Sequence, residues 1–146
     1  MSLVPDVFEP PRRLVTQEFE LEPLGPEHNE DDYAAWTSSI GHIAATPGFQ
    51  GGNWPRPMTL EENRRDLERH ADDFAKRAGF TFTVRDPDRE PIFGCVYIYP
   101  DKDGVHDARV ISWVTADRAE LDGPLRDVVR AWLLDEWPFV NVDYPS

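Results

Sequence analysis

The sequence is poor in cysteine and in positive charge, and both scarcities limit what the protein can be. Its single cysteine, Cys95, excludes an internal disulfide, and its apolar neighbours predict a buried thiol in a reducing cytoplasm. Lys and Arg number 15 against 28 Asp and Glu, so the formal net charge is −13. A nucleic-acid partner is therefore not expected, because phosphate backbones need a basic face. The acidity favours a basic or amine-bearing ligand, although it would also serve solubility alone.

Long apolar runs and metal-binding motifs are also lacking. No stretch approaches the roughly 20 apolar residues that cross a membrane, and the N-terminus has no apolar run of signal-peptide length, so we expect a cytoplasmic protein without membrane contact. The histidines are far apart, without HExxH or CxxC, so no metal site of standard spacing is expected. The 146 residues have the size of one domain, which we place at 17–146 after an extended arm at 1–16.

Hydrophobic periodicity predicts the element order β-α-α-β-β-β-α-β. Thr59 and Glu62 form a capping box at the start of the second helix, Gly79 is expected to end that helix, and Pro124 should open the third. In the first strand, Phe19 and Leu21 face the core, and the alternating glutamates, Glu20 among them, face away. The predicted strands are 17–24, 80–84, 92–99, 108–115 and 139–142, the predicted helices are 28–45, 59–79 and 124–137, and a turn is predicted at 86–91.

This order, with the segments LEENRRD at 60–66 and FTFTV to GCVYI at 80–98, resembles the GCN5-related N-acetyltransferase (GNAT) superfamily over almost the whole chain. The closest likeness is to the branch that includes ribosomal-protein acetyltransferases. The resemblance implies an α/β (α+β) fold with a mixed, mostly antiparallel sheet flanked by helices. It also implies transfer of an acetyl group from acetyl-coenzyme A to an amine on a small molecule or a peptide.

In that family the loop after the fourth strand binds the cofactor pyrophosphate through the pattern Gln/Arg-x-x-Gly-x-Gly/Ala. Glycines let backbone N–H groups approach the phosphates, and the following helix adds its dipole. Arg118 and Gly123 match the pattern, Leu121 replaces the first glycine, and Glu120 and Asp122 add two carboxylates that repel phosphate. The loop is thus a degenerate cofactor loop. Its alternative interpretation is a helix cap made by Asp122 or Gly123.

The resemblance assigns further cofactor contacts to the preceding strand. The backbone of Trp113, Val114 and Thr115 would pair with the pantetheine arm, although Trp113 also suits a core aromatic. The family normally continues beyond its fifth strand, where a tyrosine often protonates the leaving thiolate. The sequence is shorter there and offers only Tyr144 for this role. An unfinished sheet edge invites pairing with another chain, which makes a homodimer plausible.

The acceptor side is predicted from aromatic residues and one histidine. An aromatic pocket suits a cationic or apolar amine, and a histidine beside it could take the amine proton. The alternative is that the rings are core and rim residues and that the histidine is structural. The residues concerned are Trp36, Phe49, Trp54, Tyr97 and Tyr99, with His42 as the proton acceptor.

Two other functions compete with the acyltransferase. One is a non-catalytic protein that keeps the fold and uses the aromatic pocket for a small ligand or the sheet edge for a partner. The other is a structural dimerisation module, which the long loop at 46–58, rich in glycine and proline, disfavours.

Overall fold

A six-stranded sheet runs through the computed structural model, which describes residues 3–88 and 91–146. Neighbouring strands are antiparallel except the last pair, which is parallel. The predicted mixed, mostly antiparallel sheet flanked by helices is confirmed. In spatial order the strands are β1 (Leu14–Val15), β2 (Glu20–Pro23), β3 (Phe80–Arg85), β4 (Ile92–Tyr99), β5 (Ala108–Val114) and β6 (Val142–Asp143).

Over residues 3–88 and 91–146, the α-helices beside the sheet are α1 (Asn29–Thr37), α2 (Ile40–Ala45), α3 (Leu60–Lys76) and α4 (Asp122–Glu136). The single helix predicted at 28–45 is wrong, because the chain forms α1 and α2 with a break between them. At the break, the hydroxyls of Thr37 and Ser38 each donate 2.6 Å hydrogen bonds to backbone carbonyls three or four residues earlier. Such bonds compete with continued helix. None of the helices in the described ranges is long and apolar enough to span a membrane.

Helix α3 begins as predicted and ends differently. The Thr59 hydroxyl accepts from the Glu62 amide at 3.0 Å, and the Glu62 carboxylate accepts from the Thr59 amide at 2.8 Å, so the capping box is confirmed. The helix ends at Lys76 because Arg77 takes the left-handed conformation, with φ of 64°. Gly79 does not end the helix; it leaves room for the ring of Tyr99, from which an added Cβ would lie only 2.1 Å away.

The two faces of the sheet carry separate apolar clusters. Helix α4 covers one face, where Val110 and Val114 of β5 meet Leu125 and Trp132. The opposite face carries α1 to α3 and a second cluster with Trp36, Leu67, Cys95 and Trp113. Successive residues of β5 therefore serve opposite faces, as expected for a strand that is covered on both sides.

Several boundaries differ from the prediction because tertiary packing decides them. Glu20 is buried, not solvent-facing, and the Arg13 guanidinium lies 2.9 Å from its carboxylate. The arm contributes β1, which pairs with β2. Helix α4 begins at Asp122, so Pro124 is its third residue instead of its first. The last strand is 142–143, later than the predicted 139–142. The predicted turn at 86–91 includes residues 89 and 90, which lie outside the described residues.

Candidate functional site

One edge of β5 is left open where β6 diverges from it. Strand β6 pairs only with Ala108 and Arg109, so in the described chain no strand pairs this edge over residues 110–114. The Thr115 amide donates to the Phe93 carbonyl of β4 at 2.8 Å. Because backbone groups of alternate residues point to opposite edges, those of Ser112 and Val114 point to the open edge. Of the three residues predicted to pair with a pantetheine arm, Val114 thus presents its backbone groups there.

The segment before α4 is a 3-10 turn at Ala116–Leu121. The Arg118 guanidinium does not lie unpaired beside this turn. It donates two hydrogen bonds to the Asp86 carboxylate, at 2.9 and 3.1 Å, and stacks over the Phe93 ring at 4.5 Å. The hydrogen-bonded Asp86 carboxylate raises the pKa of Arg118 above its usual value. The positive charge predicted for phosphate binding is therefore already compensated by Asp86.

The first turn of α4 brings together two residues that are far apart in sequence. The His42 ring nitrogen Nε2 lies 2.8 Å from Oδ2 of Asp122, 80 residues away. His42 thus lies at the N-terminus of α4 and does not line the aromatic cavity described below. Beside it, Gly123 has no described atom within 4 Å of the position of an added Cβ. The backbone at Gly123 is therefore open to approach from outside.

Tyr144 lies on the α4 side of β5, next to the open edge. Its hydroxyl is 2.6 Å from the Ser112 hydroxyl, and the residue is 4% exposed. Burial raises the pKa of Tyr144 well above its usual value, so the phenol keeps its proton. Arg130 stacks on the Tyr144 ring at 5.0 Å, and Arg126 is close enough to act on the same phenol electrostatically. The sequence analysis missed Arg126, whose signal is its position one helical turn after Asp122.

A cavity of about 430 Å³ lies on the opposite face, between the loop at 46–58, α1, α3 and the sheet. Three of the aromatic residues predicted for an acceptor pocket line this cavity, namely Phe49, Trp54 and Tyr97. Trp36 is 1% exposed and packs behind Trp54, with ring centroids 5.2 Å apart. Tyr99 is not among the lining residues. The structure thus brings three of the five predicted aromatic residues to the cavity wall.

Trp54 is the centre of the aromatic cluster. Its ring contacts Phe49 at 5.9 Å, Tyr97 at 6.5 Å and Trp113 at 6.2 Å. The indole N–H of Trp113 donates to the Tyr97 hydroxyl at 2.9 Å. Gly48 sets the path of the loop, because it has φ of 97° and lies where a Cβ would be 2.5 Å from Ile111. The wall is therefore fixed by interlocking rings and a glycine-dependent turn.

A buried polar network reaches the cavity from α1 and α3. The Asn63 side-chain oxygen accepts from the Trp36 indole at 3.0 Å, and its amide donates to Asn29 at 2.8 Å and to Asp32 Oδ2 at 3.1 Å. Asp32 lines the cavity and is 4% exposed. Burial is the main cause that raises its pKa from 3.8 to about 6. The sequence analysis missed Asp32 and Asn63; the signal for Asp32 is its position one turn before the core residue Trp36.

A second polar group faces the cavity from α3. His70 lines it, with Nδ1 2.9 Å from the Thr81 hydroxyl and 3.0 Å from the Tyr99 hydroxyl. The Tyr99 hydroxyl donates to Asp73 at 2.8 Å. Burial lowers the pKa of His70 to about 4, so the ring is neutral at physiological pH. Tyr99 therefore supports His70 from behind the wall. Within residues 3–88 and 91–146, no group of three or more His, Cys, Asp or Glu side chains is arranged to hold a metal ion.

Sequence comparison finds no matching protein-family model and no similar curated protein. Comparison with solved structures does find relatives. A proposed ribosomal-protein-serine acetyltransferase from Vibrio cholerae is 17% identical, with a TM-score of 0.61 over 90% of this chain and 67% of that one. A ribosomal-protein-S5-alanine acetyltransferase from Vibrio fischeri is 14% identical, with a TM-score of 0.63 over 84% and 67% of the two chains.

A third neighbour was solved with ligands. It is a microcin C7 self-immunity acetyltransferase in complex with acetyl-coenzyme A and AMP, 15% identical, with a TM-score of 0.59 over 87% of this chain and 69% of that one. The chain thus spans about two thirds of the length of these proteins. Structures of this group have the GNAT fold, so the chain has the fold that its sequence resemblance predicts.

Proposed function

We propose that the protein is an acyl-coenzyme A-dependent N-acyltransferase that transfers an acetyl group from acetyl-coenzyme A to an amine. The observation that carries the proposal is the open edge of β5 beside the N-terminus of α4, in a chain with the GNAT fold. The aromatic cavity reaches the same strand, because Ile111 lines it. Acetyl-coenzyme A at the open edge and the amine in the aromatic cavity would therefore approach β5 from different sides.

The residues at the open edge fit the cofactor. The backbone groups of Ser112 and Val114 can hydrogen-bond an amide-bearing arm whatever their side chains. The amides at the start of α4 and the open space at Gly123 suit phosphate oxygens, and Arg126 adds a positive charge one turn further along. Asp122 opposes this fit because it places a carboxylate in the same turn. Its hydrogen bond to His42 offsets part of that opposition.

Acetyl-coenzyme A, when bound, supplies an acetyl group on a thioester, which an unprotonated amine can attack. Tyr144 is protonated and lies at the edge of β5, so we assign it the transfer of a proton to the leaving thiolate as the C–S bond breaks. Arg126 and Arg130 beside the ring favour the phenolate that results, and the phenolate then takes up the proton that the acylated nitrogen loses. Phe49, Trp54 and Tyr97 give one side of the acceptor cavity an apolar wall for the amine substrate. His42 is assigned to the cofactor side, where it holds Asp122.

Calorimetry with acetyl-coenzyme A tests the proposal directly. We expect a dissociation constant between the low micromolar and the sub-millimolar range. The matched variant is Gly123→Glu, which places a bulky anion in open space at the first turn of α4 and should leave the fold intact. It should weaken binding by about tenfold or more. No heat of binding to the wild-type protein at millimolar acetyl-coenzyme A would sink the proposal in favour of a non-catalytic binding protein.

The proposal includes a cytoplasmic location and a homodimer. The homodimer would form at an outer edge of the sheet, where among the described residues β1 and β6 have no further strand beside them. Because these strands are two residues long and short edge strands limit such pairing, a dimer would also need contacts outside them. Light scattering after size-exclusion chromatography distinguishes a 16.8 kDa monomer from a dimer of twice that mass.

A further inference from the structure

The acceptor cavity contains a feature that narrows the class of amine it would take. Resting on the proposed function, we infer that the acceptor is a primary amine joined to an apolar body, and that the Asp32 carboxylate binds its ammonium group inside the aromatic cavity. The inference rests on the burial of Asp32, the charges of the described residues around it, and the aromatic wall opposite.

Asp32 is a buried acid without a cationic partner. No lysine or arginine in the described ranges forms an ion pair with it. The groups close enough to act on its charge are Asn63 and the like-charged Asp66 of α3, and the thiol of Cys95 and the phenol of Tyr97 on β4, which burial keeps protonated. Buried charges are normally paired, because an uncompensated ion in the interior is costly. An ammonium group in the cavity would supply the missing positive charge. Transfer of one proton from that ammonium group to the Asp32 carboxylate would then leave the neutral amine that acetyl transfer requires.

The carboxylate is also held in position for a ligand. Asn63 donates to Oδ2 of Asp32, and Asn63 is itself fixed by Trp36 and Asn29. Among the described residues, Asn63 is the hydrogen-bond donor that the structure assigns to this carboxylate, so its second oxygen has capacity for another donor. A carboxylate preset in this way loses little freedom when a cation binds.

The rest of the wall suits the body of such an amine. Phe49, Trp54 and Tyr97 present rings that attract a cation over their faces and pack against apolar groups beside it. The volume of about 430 Å³ is in the lower part of the range of roughly 300–1,000 Å³ that small-molecule sites occupy. The cavity is therefore large enough for a ring or a short chain with one ammonium group.

The two arginines among the described residues that line the cavity are both exposed to solvent. Arg69 is exposed and lies 3.7 Å from Asp66 and 4.0 Å from Asp73, so its charge is shared with acids of its own helix. Arg56 is exposed as well and donates to the Pro57 carbonyl at 3.5 Å. The buried charge of the cavity is thus negative, and an anionic acceptor would have no buried cation to meet it.

The probes are 2-phenylethylamine, its uncharged counterpart 2-phenylethanol, and the tripeptide amide Phe-Ala-Ala-NH₂, each titrated without acetyl-coenzyme A at pH 8. Trp54 lines the cavity, so intrinsic tryptophan fluorescence reports binding. We expect the amine to bind at least about tenfold more tightly than the alcohol, because a charge-assisted hydrogen bond adds to the shared packing. Tighter binding of the tripeptide would identify a peptide N-terminus as the source of the amine, and tighter binding of 2-phenylethylamine a small molecule.

Asp32→Asn tests the assigned residue, and Asp31→Asn is the matched control because it removes the same charge from an exposed neighbour. Asp32→Asn should bring amine and alcohol to equal affinity, whereas Asp31→Asn should preserve the tenfold preference. In the wild-type protein the preference should persist above about pH 6 and disappear below it, as Asp32 becomes protonated. Equal binding of amine and alcohol at pH 8, or an undiminished preference in Asp32→Asn, would overturn the inference.

The outcome is separable from that of the proposed function. Amine binding that depends on Asp32, together with no binding of acetyl-coenzyme A, would refute the acyltransferase and keep the Asp32 site. Binding of acetyl-coenzyme A without a preference for the amine would refute the Asp32 site and keep the acyltransferase.

Discussion

Replacing Asp32 by asparagine should stabilise the protein at neutral pH, although the side chain is buried in the candidate site. Burial raises the pKa of Asp32 from 3.8 to about 6 in the folded chain, whereas an unfolded chain titrates near 3.9. Between these values the folded chain holds a proton that the unfolded chain releases, so stability falls as pH rises from about 4 to about 6. The loss is complete above pH 6 and amounts to about 3 kcal/mol.

Asparagine has the shape of the protonated acid and carries no charge. Its carbonyl can accept the hydrogen bond that Asn63 now donates to Asp32. The variant should therefore match the wild-type protein near pH 4 and exceed its free energy of unfolding by about 2–3 kcal/mol at pH 7.5. Urea unfolding followed by circular dichroism at both pH values measures this as a shift in midpoint with little change in slope.

Asp31→Asn controls for the change in net charge, and we expect its free energy of unfolding to stay within about 0.5 kcal/mol of the wild-type value. The reasoning would be refuted if Asp32→Asn were less stable than the wild-type protein at pH 7.5. It would also be refuted if the difference in free energy of unfolding between the two proteins were the same at pH 4 and pH 7.5. A gain in stability that accompanies the loss of amine binding would indicate a residue kept for function at the expense of stability.

Three further predictions concern the network and the cofactor turn. Asn63→Leu should lower the free energy of unfolding at pH 7.5 by about 3 kcal/mol or more, because Trp36 and the neighbouring acid lose a buried partner; an unchanged urea midpoint would contradict this. Asp122→Asn keeps a hydrogen bond to His42 without the charge, so calorimetry should show acetyl-coenzyme A binding about fivefold tighter, and weaker binding would count against phosphates at α4. Gly123→Ala should stabilise α4 by about 0.5 kcal/mol in thermal unfolding and still weaken cofactor binding; destabilisation would contradict the open space there.

The elements that the sequence predicts well are those fixed by local chemistry. The capping box of Thr59 and Glu62 forms as expected, and the strand predicted at 92–99 has those same bounds in the structure. Both signals are contained within a few residues. Among the described residues, the observed order differs from the predicted one by the added strand β1 and by the division of the first helix into α1 and α2.

The candidate site depends on contacts that no local pattern encodes. His42 and Asp122 meet only after the chain has folded, and the same is true of Asn63 and Asp32. The break after Thr37 is partly predictable. The run of Thr and Ser is visible in the sequence, but such a run does not by itself end a helix, and the hydrogen bond from the Thr37 hydroxyl to a backbone carbonyl is seen only in the structure. The position of Asp32 one turn before Trp36 is a local signal that the side chain faces the core, but the sequence does not show that it meets Asn63 there.

The most direct test of the account is acetyl transfer itself. The protein is incubated with acetyl-coenzyme A and 2-phenylethylamine at pH 8, and mass spectrometry measures N-acetylated amine while thiol titration measures released coenzyme A. The account predicts equal amounts of the two products, both reduced strongly in Asp32→Asn and in Gly123→Glu and unchanged in Asp31→Asn. No acetylated amine above the protein-free reaction, under conditions where both ligands bind, would contradict it.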